Sequence, residues 1–512
     1  MLSSAWIYCF QLKLSFADFR MNTQHDLEVL LKSRTPLLVI ESGEEIRVLA
    51  LLKRACLNIQ TMLFSWKITE GLQRLDSDYP PQRHNAEPDK VLAHIAAADM
   101  PAVYVLLDFH AHLDDAVLVR RLKDIVLSAH ETGVTVVLLS HRINLPGELA
   151  HYSGTFELAL PDVTETRRIV MQLAEARSQE SGAGQVKIDQ RSLDQVVSSL
   201  QGMTALDVRR LARNLVYDDD AITQHDLPGL MKAKYELLKN DGLLSFEPDT
   251  ASYTDIAGMQ RLKNWLEQRK QTFLFPEQTP GLDPSRGVLL LGVQGCGKSL
   301  AAKAVAGLFG VGLLRMDFGA LYNKYHGETE RNLRESLKMA EMMAPCVLWV
   351  DEIEKGLSTD TNDSGTSNRV LGTLLTWMAE RTAPVFMVAT ANNIKALPAE
   401  LVRKGRFDEI FFVDLPDEEV RAEIIRIHLQ RRGLDAGSFD LQTLAGESAG
   451  FTGAELEQAV VAALYASYGQ GVPLSSGLIE TEIKNTRPLS VVMSEQISAL
   501  RHWALERTVP AG

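Results

Sequence analysis

Eight short apolar runs fall into two series along this chain, each run followed by segments with helical periodicity. The first series is PLLVIES (36–42), VYVLLD (103–108), VTVVLLS (134–140) and FELALPD (156–162). The second is GVLLLG (287–292), CVLWVDE (346–352), VFMVATAN (385–392) and EIFFVDLPD (409–417). Runs that are apolar on both faces suit parallel strands covered on both sides, so each series predicts a doubly wound α/β sheet. Each series then passes into a helical tail without strands. The two halves also match in order. Leu160-Pro161-Asp162 before ETRRIVMQL resembles Leu415-Pro416-Asp417 before VRAEIIRIHL. Gly202-Met203-Thr204 before ALDVRRLARNL resembles Gly450-Phe451-Thr452 before GAELEQAVVAAL. One duplicated unit accounts for this order. Between the copies, residues 217–230 and 240–253 carry the turn formers and acids of a linker and flank a short helical stretch, KAKYELLK.

At roughly 150 residues per domain, 512 residues allow about three domains or subdomains. The net charge of −13 argues against a surface that grips nucleic acid throughout, while leaving room for a local basic channel. Four scattered cysteines (Cys9, Cys56, Cys296, Cys346) make neither a disulfide framework nor a zinc site, which points to a reducing cytoplasm. No uncharged apolar run is long enough to span a membrane. Residues 1–20 lack the basic region and cleavage site of a signal peptide. A true start at Met21, a short ordered extension and a partner-binding segment are the readings open for them.

Gly292-Val293-Gln294-Gly295-Cys296-Gly297-Lys298-Ser299 fits the phosphate-loop pattern G-x-x-x-x-G-K-[ST], also called Walker A. An apolar run feeds it and AAKAVAGLFG follows as a helix, the strand–loop–helix setting that the mechanism needs. Glycines let the backbone turn its N–H groups toward phosphates. Lys298 would reach the terminal phosphates, and the Ser299 hydroxyl would bind Mg2+. The run ending Asp351-Glu352 supplies the Walker B half, with Asp351 beside the Mg2+ and Glu352 placed to orient and activate a water. ATP binding with Mg2+-dependent hydrolysis to ADP and phosphate is the expectation.

With these motifs in place, residues 250–470 resemble an AAA-type ATPase. The resemblance implies a P-loop parallel-sheet core with a C-terminal helical lid. It implies an adenine-covering segment at Asp255-Ile256-Ala257-Gly258, a polar γ-phosphate sensor at Asn392, and a ribose-side histidine at His428. It also implies a lid contact to nucleotide at Gly453-Ala454. Arg403 and Arg406 match the paired arginine fingers, which in this family reach a neighbouring subunit's site, so the resemblance implies a ring, usually a hexamer. In ring-forming members the segment Lys324-Tyr325-His326 would lie in a pore loop whose aromatic grips a polypeptide. A bare tyrosine in a polar surface loop is the alternative. Residues 359–367 read either as a second pore loop or as a flexible connection. The combination GVQGxGKS, APCVLWVDEIEK, VLGTLLTW and ELVRKGRFDEIFFVDLP is similar to a branch of AAA proteins in bacteria, cyanobacteria and some algal chloroplast genomes, in which a divergent α/β half precedes one ATPase module. No HExxH is present, which sets the chain apart from the membrane-protease branch.

The expected organisation is a doubtful extension (1–20), a degenerate AAA-like α/β domain (21–162) with a helical subdomain (163–217), and a linker (218–248). The large ATPase subdomain (249–417) and helical lid (418–512) follow. In the first half the phosphate-loop position reads Glu41-Ser42-Gly43-Glu44-Glu45, with no lysine and with acids that repel phosphate. Asp108 is kept but is followed by Phe109, and paired arginines are missing. This half is expected to serve assembly, regulation or substrate capture. His110, His112, His130, His141 and His151 scatter around strand ends and read as solvated loop residues. Val293-Gln294 stand where the family usually has Pro-Pro, and Cys296 where it has Thr, which makes alkylation of the site an expectation. The functional expectation is an ATP-driven ring that remodels or unfolds an unknown protein client. A nucleotide-dependent assembly switch and, behind it, a nucleic-acid motor are the alternatives.

Overall fold

The computed structural model describes residues 23–77, 79–180, 186–239, 243–250, 256–275, 279–318, 329–357, 364–403 and 405–512. These form two compact units: the described residues up to Leu160 together with Thr204–Leu206, and Pro161–Met203 together with Asp207–Gly512.

In the first unit the strands are β1 (Leu37–Glu41), β2 (Met62–Lys67), β3 (Gly71–Arg74), β4 (Ala102–Leu107), β5 (Thr135–Ser140) and β6 (Ser153–Thr155). They form one sheet in the order β3-β2-β4-β5-β1-β6. Only β3 runs antiparallel to its neighbour. Strand alternation divides the apolar runs between two cores. Leu37, Val39 and Leu106 enter one, with Trp66, Phe109 and Leu122. Leu38, Ile40 and Leu107 enter the other, with Val48 and Leu52 of helix Glu45–Asn58. Covering both faces removes the need for a polar alternation, which is why these strands read as continuous apolar runs. The fourth strand was expected over 156–162, but the pairing stops earlier. β6 matches β1 only from Leu37 to Val39, Phe156 gives its N–H to Val39, and the chain then leaves the sheet.

The second unit carries β7 (Lys187–Ile188) and β8 (Ala221–Ile222), a small parallel pair among helices, so the first helical tail is not strandless. Its main sheet comprises β9 (Leu244–Glu247), β10 (Gly287–Gly292), β11 (Gly312–Asp317), β12 (Cys346–Asp351), β13 (Val385–Ala391), β14 (Glu409–Val413) and β15 (Val509–Pro510), in the order β15-β14-β10-β13-β12-β11-β9. Apart from β15, the five parallel strands repeat the order of the first sheet, and an antiparallel strand closes the same side of each, although β3 follows β2 in the chain whereas β9 precedes β10. Leu289, Leu291, Leu348 and Val350 fill one core, and Val288, Leu290, Val347 and Trp349 the other.

Two expected boundaries are corrected. Residues 218–248 are not a free linker. Helix Asp226–Leu238 buries Leu227, Leu230, Met231 and Tyr235, and β9 joins the ATPase sheet. Lys234 is fully buried in that helix and donates to the carbonyls of Ser199 and Gln201 at 2.7 and 2.9 Å, with Ala344 at 3.5 Å. Among the described residues no carboxylate pairs with it, and desolvation lowers its pKa to about 7. Nor does the lid run to residue 512. Helices Glu418–Arg431, Gly453–Gln470 and Ser476–Asn485 form a separate helical core, but helix Ser494–Ala504 and β15 return to the large sheet. The N–H of Ala511 donates to Phe412, and its carbonyl accepts from Arg261 and Leu262.

Candidate functional site

The carboxyl ends of β10, β12 and β13 converge at one edge of the second sheet, where open α/β folds hold their ligands. The Gly292–Ser299 segment leaves β10 and turns into helix Lys298–Phe309. Gly297 caps that helix at φ 86°, a left-handed conformation that side chains rarely adopt. A Cβ on Gly292 would stand 2.0 Å from the Val413 carbonyl oxygen, so packing against β14 also demands glycine there. The loop and helix N-terminus present N–H groups and a positive dipole end toward a cavity of about 950 Å3.

Lys298 is only 6% exposed and folds back to donate to the carbonyls of Gly292 and Val293 at 2.9 and 2.8 Å. Desolvation lowers its pKa to about 8, although Asp351, Glu352 and Glu354 pull the other way. A phosphate in the cavity would offer this ammonium the counter-charge that the loop carbonyls lack. Ser299 Oγ donates to Asp351 Oδ1 at 3.4 Å, and Thr390 Oγ1 donates to the same oxygen at 2.6 Å. Ser299 and Asp351 are hard oxygen donors of the kind Mg2+ takes, and they fit that ion.

Glu352 is in a left-handed conformation, φ 48°. Its N–H donates to Thr390 Oγ1 at 2.9 Å, and Asn392 Nδ2 donates to its carboxylate at 2.9 Å. Lys355 forms an ion pair with the same carboxylate. The strain is of order 1–3 kcal/mol for a non-glycine residue and aims the carboxylate out of the strand end. Glu354, buried beside it, accepts the Asn392 N–H at 2.8 Å. Burial raises the Glu354 pKa. Thr390 and Glu354 were not anticipated from sequence. Their signals are small: a third acid close behind Asp351-Glu352, and a hydroxyl one step before the end of an apolar strand.

Ile256, Ala257 and Gly258 line the cavity, as do His428, Gly453 and Ala454. Asp255 lies outside the described residues. The Ala454 N–H donates to the Gly295 carbonyl at 3.0 Å, joining the lid helix Gly453–Gln470 to the phosphate loop. Thr452 and Glu455 cap that helix reciprocally. His428 Nδ1 stands 3.5 Å from Glu457, and burial lowers its pKa. The returning C-terminal segment adds Arg501, Leu505, Thr508 and Ala511 to the wall, with Arg501 Nε held 2.9 Å from Asp414. No motif announces this wall, because it depends on a contact distant in sequence.

Arg403 and Arg406 do not line the cavity of their own chain. Arg406 donates to the Leu375 carbonyl at 2.9 Å, while Arg403 is exposed. Lys324, Tyr325 and His326 lie outside the described residues, as do 358–363, and helix Ser364–Glu380 begins directly afterwards. Cys296 corrects an expectation. It is 9% exposed, and burial pushes its pKa up to about 12, so its thiol is protonated and a poor target for alkylation.

The first unit departs from the ATPase pattern in a different way from that expected. The turn after β1 holds only residues 42–44 before its helix starts, against 293–297 in the second unit, too short to wrap a phosphate. By strand register Leu107 ends β4 where Asp351 ends β12, and Asp108, at φ 54°, takes the place of Glu352. The acid lost is therefore the metal-side one, and the retained Asp108 occupies the position after the strand.

Comparison with known proteins shows the family. The model of the ATPase family associated with various cellular activities (AAA) matches residues 288–415. Those of the N-terminal and second domains of SpoVK-like AAA ATPases match 23–158 and 164–241. The chain belongs to the AAA ATPase family, nucleotide-binding proteins, in the group with SpoVK-like N-terminal domains. It is 34% identical over 491 residues to an uncharacterized AAA domain-containing protein ycf46 of Pyropia yezoensis, covering 94% of this chain and 98% of that one. Its likeness to the ycf46 proteins of Guillardia theta and Trieres chinensis is 33% in each case, over 94% of this chain and 95% and 97% of theirs. Among the described residues no helix is long and apolar enough to cross a membrane.

Proposed function

We propose that the second unit binds ATP with Mg2+ and hydrolyses it to ADP and phosphate, and that the chain works as a ring, a hexamer, that remodels protein partners. The convergence of Lys298, Ser299, Asp351, Glu352 and Asn392 on one cavity beneath the phosphate loop supports this reading. In it, the loop N–H groups and Lys298 hold the phosphates, and Ser299 and Asp351 hold the Mg2+. When bound, that ion neutralises charge between the terminal phosphates. Glu352, braced by Thr390 and Asn392, accepts a proton from the attacking water, and Asn392 senses the terminal phosphate. Ile256-Ala257-Gly258, His428 and Gly453-Ala454 surround the nucleoside, with Asp255 assigned there on resemblance.

Arg403 and Arg406 complete the site from a neighbouring subunit, a role supported by their falling outside the lining of their own cavity. Tyr325, with Lys324 and His326, would grip the client. The buried, unpaired Cys56, Cys296 and Cys346 support a reducing, cytoplasmic setting. The test is Glu352→Gln. It should bind ATP, slow hydrolysis by about a hundredfold or more, and hold the chain as a large particle that retains its client for mass spectrometry. Hydrolysis at the wild-type rate would refute the role of Glu352. A particle of monomer mass under ATP would refute the ring.

A further inference from the structure

The edge of the first sheet that corresponds to the catalytic edge of the second carries a different set of donors. In the second unit Asn392 ties two carboxylates together beyond β12 and β13, its side-chain amide donating to Glu352 and its backbone N–H to Glu354. By strand register the corresponding positions in the first unit are Asp108, His110 and His141. Asp108 follows β4 in its left-handed conformation, His110 lies two residues on in the short helix Phe109–His112, and His141 follows β5 directly. The histidines are therefore not all scattered. A carboxylate oxygen of Asp108 and one nitrogen from each imidazole lie within 4.8 Å of one another.

The details suit a ligand more than a packed core. The imidazoles of His110 and His141 stand edge-on, with centroids 5.0 Å apart at 87°. His110 Nδ1 is 3.9 Å from Asp108 Oδ1 and 3.0 Å from Ser140 Oγ, a hydroxyl that can orient the ring. The Asp108 side chain is 62% exposed and that of His110 29%, so an ion can reach the donors from solvent. His112, by contrast, is turned away to pack on Trp66 and Phe109. Asp108 needs no large movement. Zinc–ligand bonds near 2.0–2.2 Å in a tetrahedron imply donors about 3.4 Å apart, so small side-chain rotations would close the cluster.

We propose that Asp108, His110 and His141 bind one divalent transition-metal ion, Zn2+ as the representative, in the first unit. Two imidazoles and a carboxylate favour such an ion over Mg2+, whose preference is for oxygen alone. Three protein ligands leave a position for water or for a group from a partner. The unit that lost the phosphate loop thus keeps an ion-binding edge, with the ion held by side chains instead of by a nucleotide.

The experiment titrates Zn2+ into the full-length chain, free of nucleotide and with Mg2+ in millimolar excess to fill oxygen-only sites. Co2+ absorption serves as a second readout. The wild type should bind one Zn2+ equivalent and give Co2+ d–d bands. His141→Ala and, separately, Asp108→Asn should each weaken that equivalent by at least about tenfold and lose the bands. Both changes affect solvent-facing side chains, and an unchanged metal-free melting curve for either one makes its result decisive. A wild type that takes up no Zn2+, or uptake that a folded variant retains at wild-type affinity, overturns the proposal.

Discussion

The two α/β units share a strand order but differ at the edge where that order places ligands. In the second, a five-residue turn (293–297) reverses the chain over a buried lysine, and across β13 Asp351 ends β12 with Glu352 directly after it. In the first, the turn shrinks to residues 42–44, the metal-side acid becomes Leu107 in the core, and Asp108, His110 and His141 crowd the edge. The sheet is set by apolar packing on both faces and tolerates this exchange, because the edge residues contribute little to the core. The fold and the chemistry it carries are thus specified by different residues, and one can be lost while the other stays.

The comparison breaks most visibly at Lys298. Lys298→Ala should cost about 10²–10³ in ATP turnover, as loss of a preorganised charge at the transferring phosphate does, measured as phosphate release under saturating ATP. Retained turnover would mean that the second unit does not use its phosphate loop. Next in size is a core change in the silent unit. Trp66 is fully buried and its indole N–H donates to the Asn85 carbonyl at 2.8 Å. Trp66→Ala should destabilise the first unit by about 3–5 kcal/mol, read in thermal or denaturant unfolding. An unchanged curve would contradict the packing described for that sheet.

A subtler contrast is in pH. The free Lys298 has a pKa lowered to about 8 from 10.5, and a bound phosphate should raise it again. Between about pH 8 and 10.5 the free protein has then lost a proton that the complex holds, so binding takes up a proton and weakens as pH rises, by up to about tenfold per unit. Below pH 7 this group adds no dependence. Calorimetry in buffers of different ionisation enthalpy measures the uptake, and affinity independent of pH across this window would contradict the assignment. The smallest expected effect is at Cys296: iodoacetamide should leave native ATPase activity intact, and rapid inactivation by Cys296 labelling would show the thiol to be accessible.

The long apolar strands were legible because burial on both faces writes itself as an unbroken run, and the phosphate loop because its glycines and lysine are local requirements. The edge strands β3 and β9 were not, since a four-residue strand such as GLQR or LSFE has too little periodicity to read. The returning tail, with Arg501 on Asp414 and Ala511 on Phe412, depends on partners far away in sequence. The place of Asp108 is not legible, since Asp-Phe reads as an Asp-Glu pair missing its second acid. Only the register of β4 against β5 shows that the first acid is the one replaced.

The central claim is that two copies of one fold hold a single nucleotide site. Equilibrium binding of a non-hydrolysable ATP analogue with Mg2+ to the full-length chain tests it most directly. One equivalent per chain, abolished by Lys298→Ala, is the predicted result. Two equivalents, or one that survives Lys298→Ala, would contradict it.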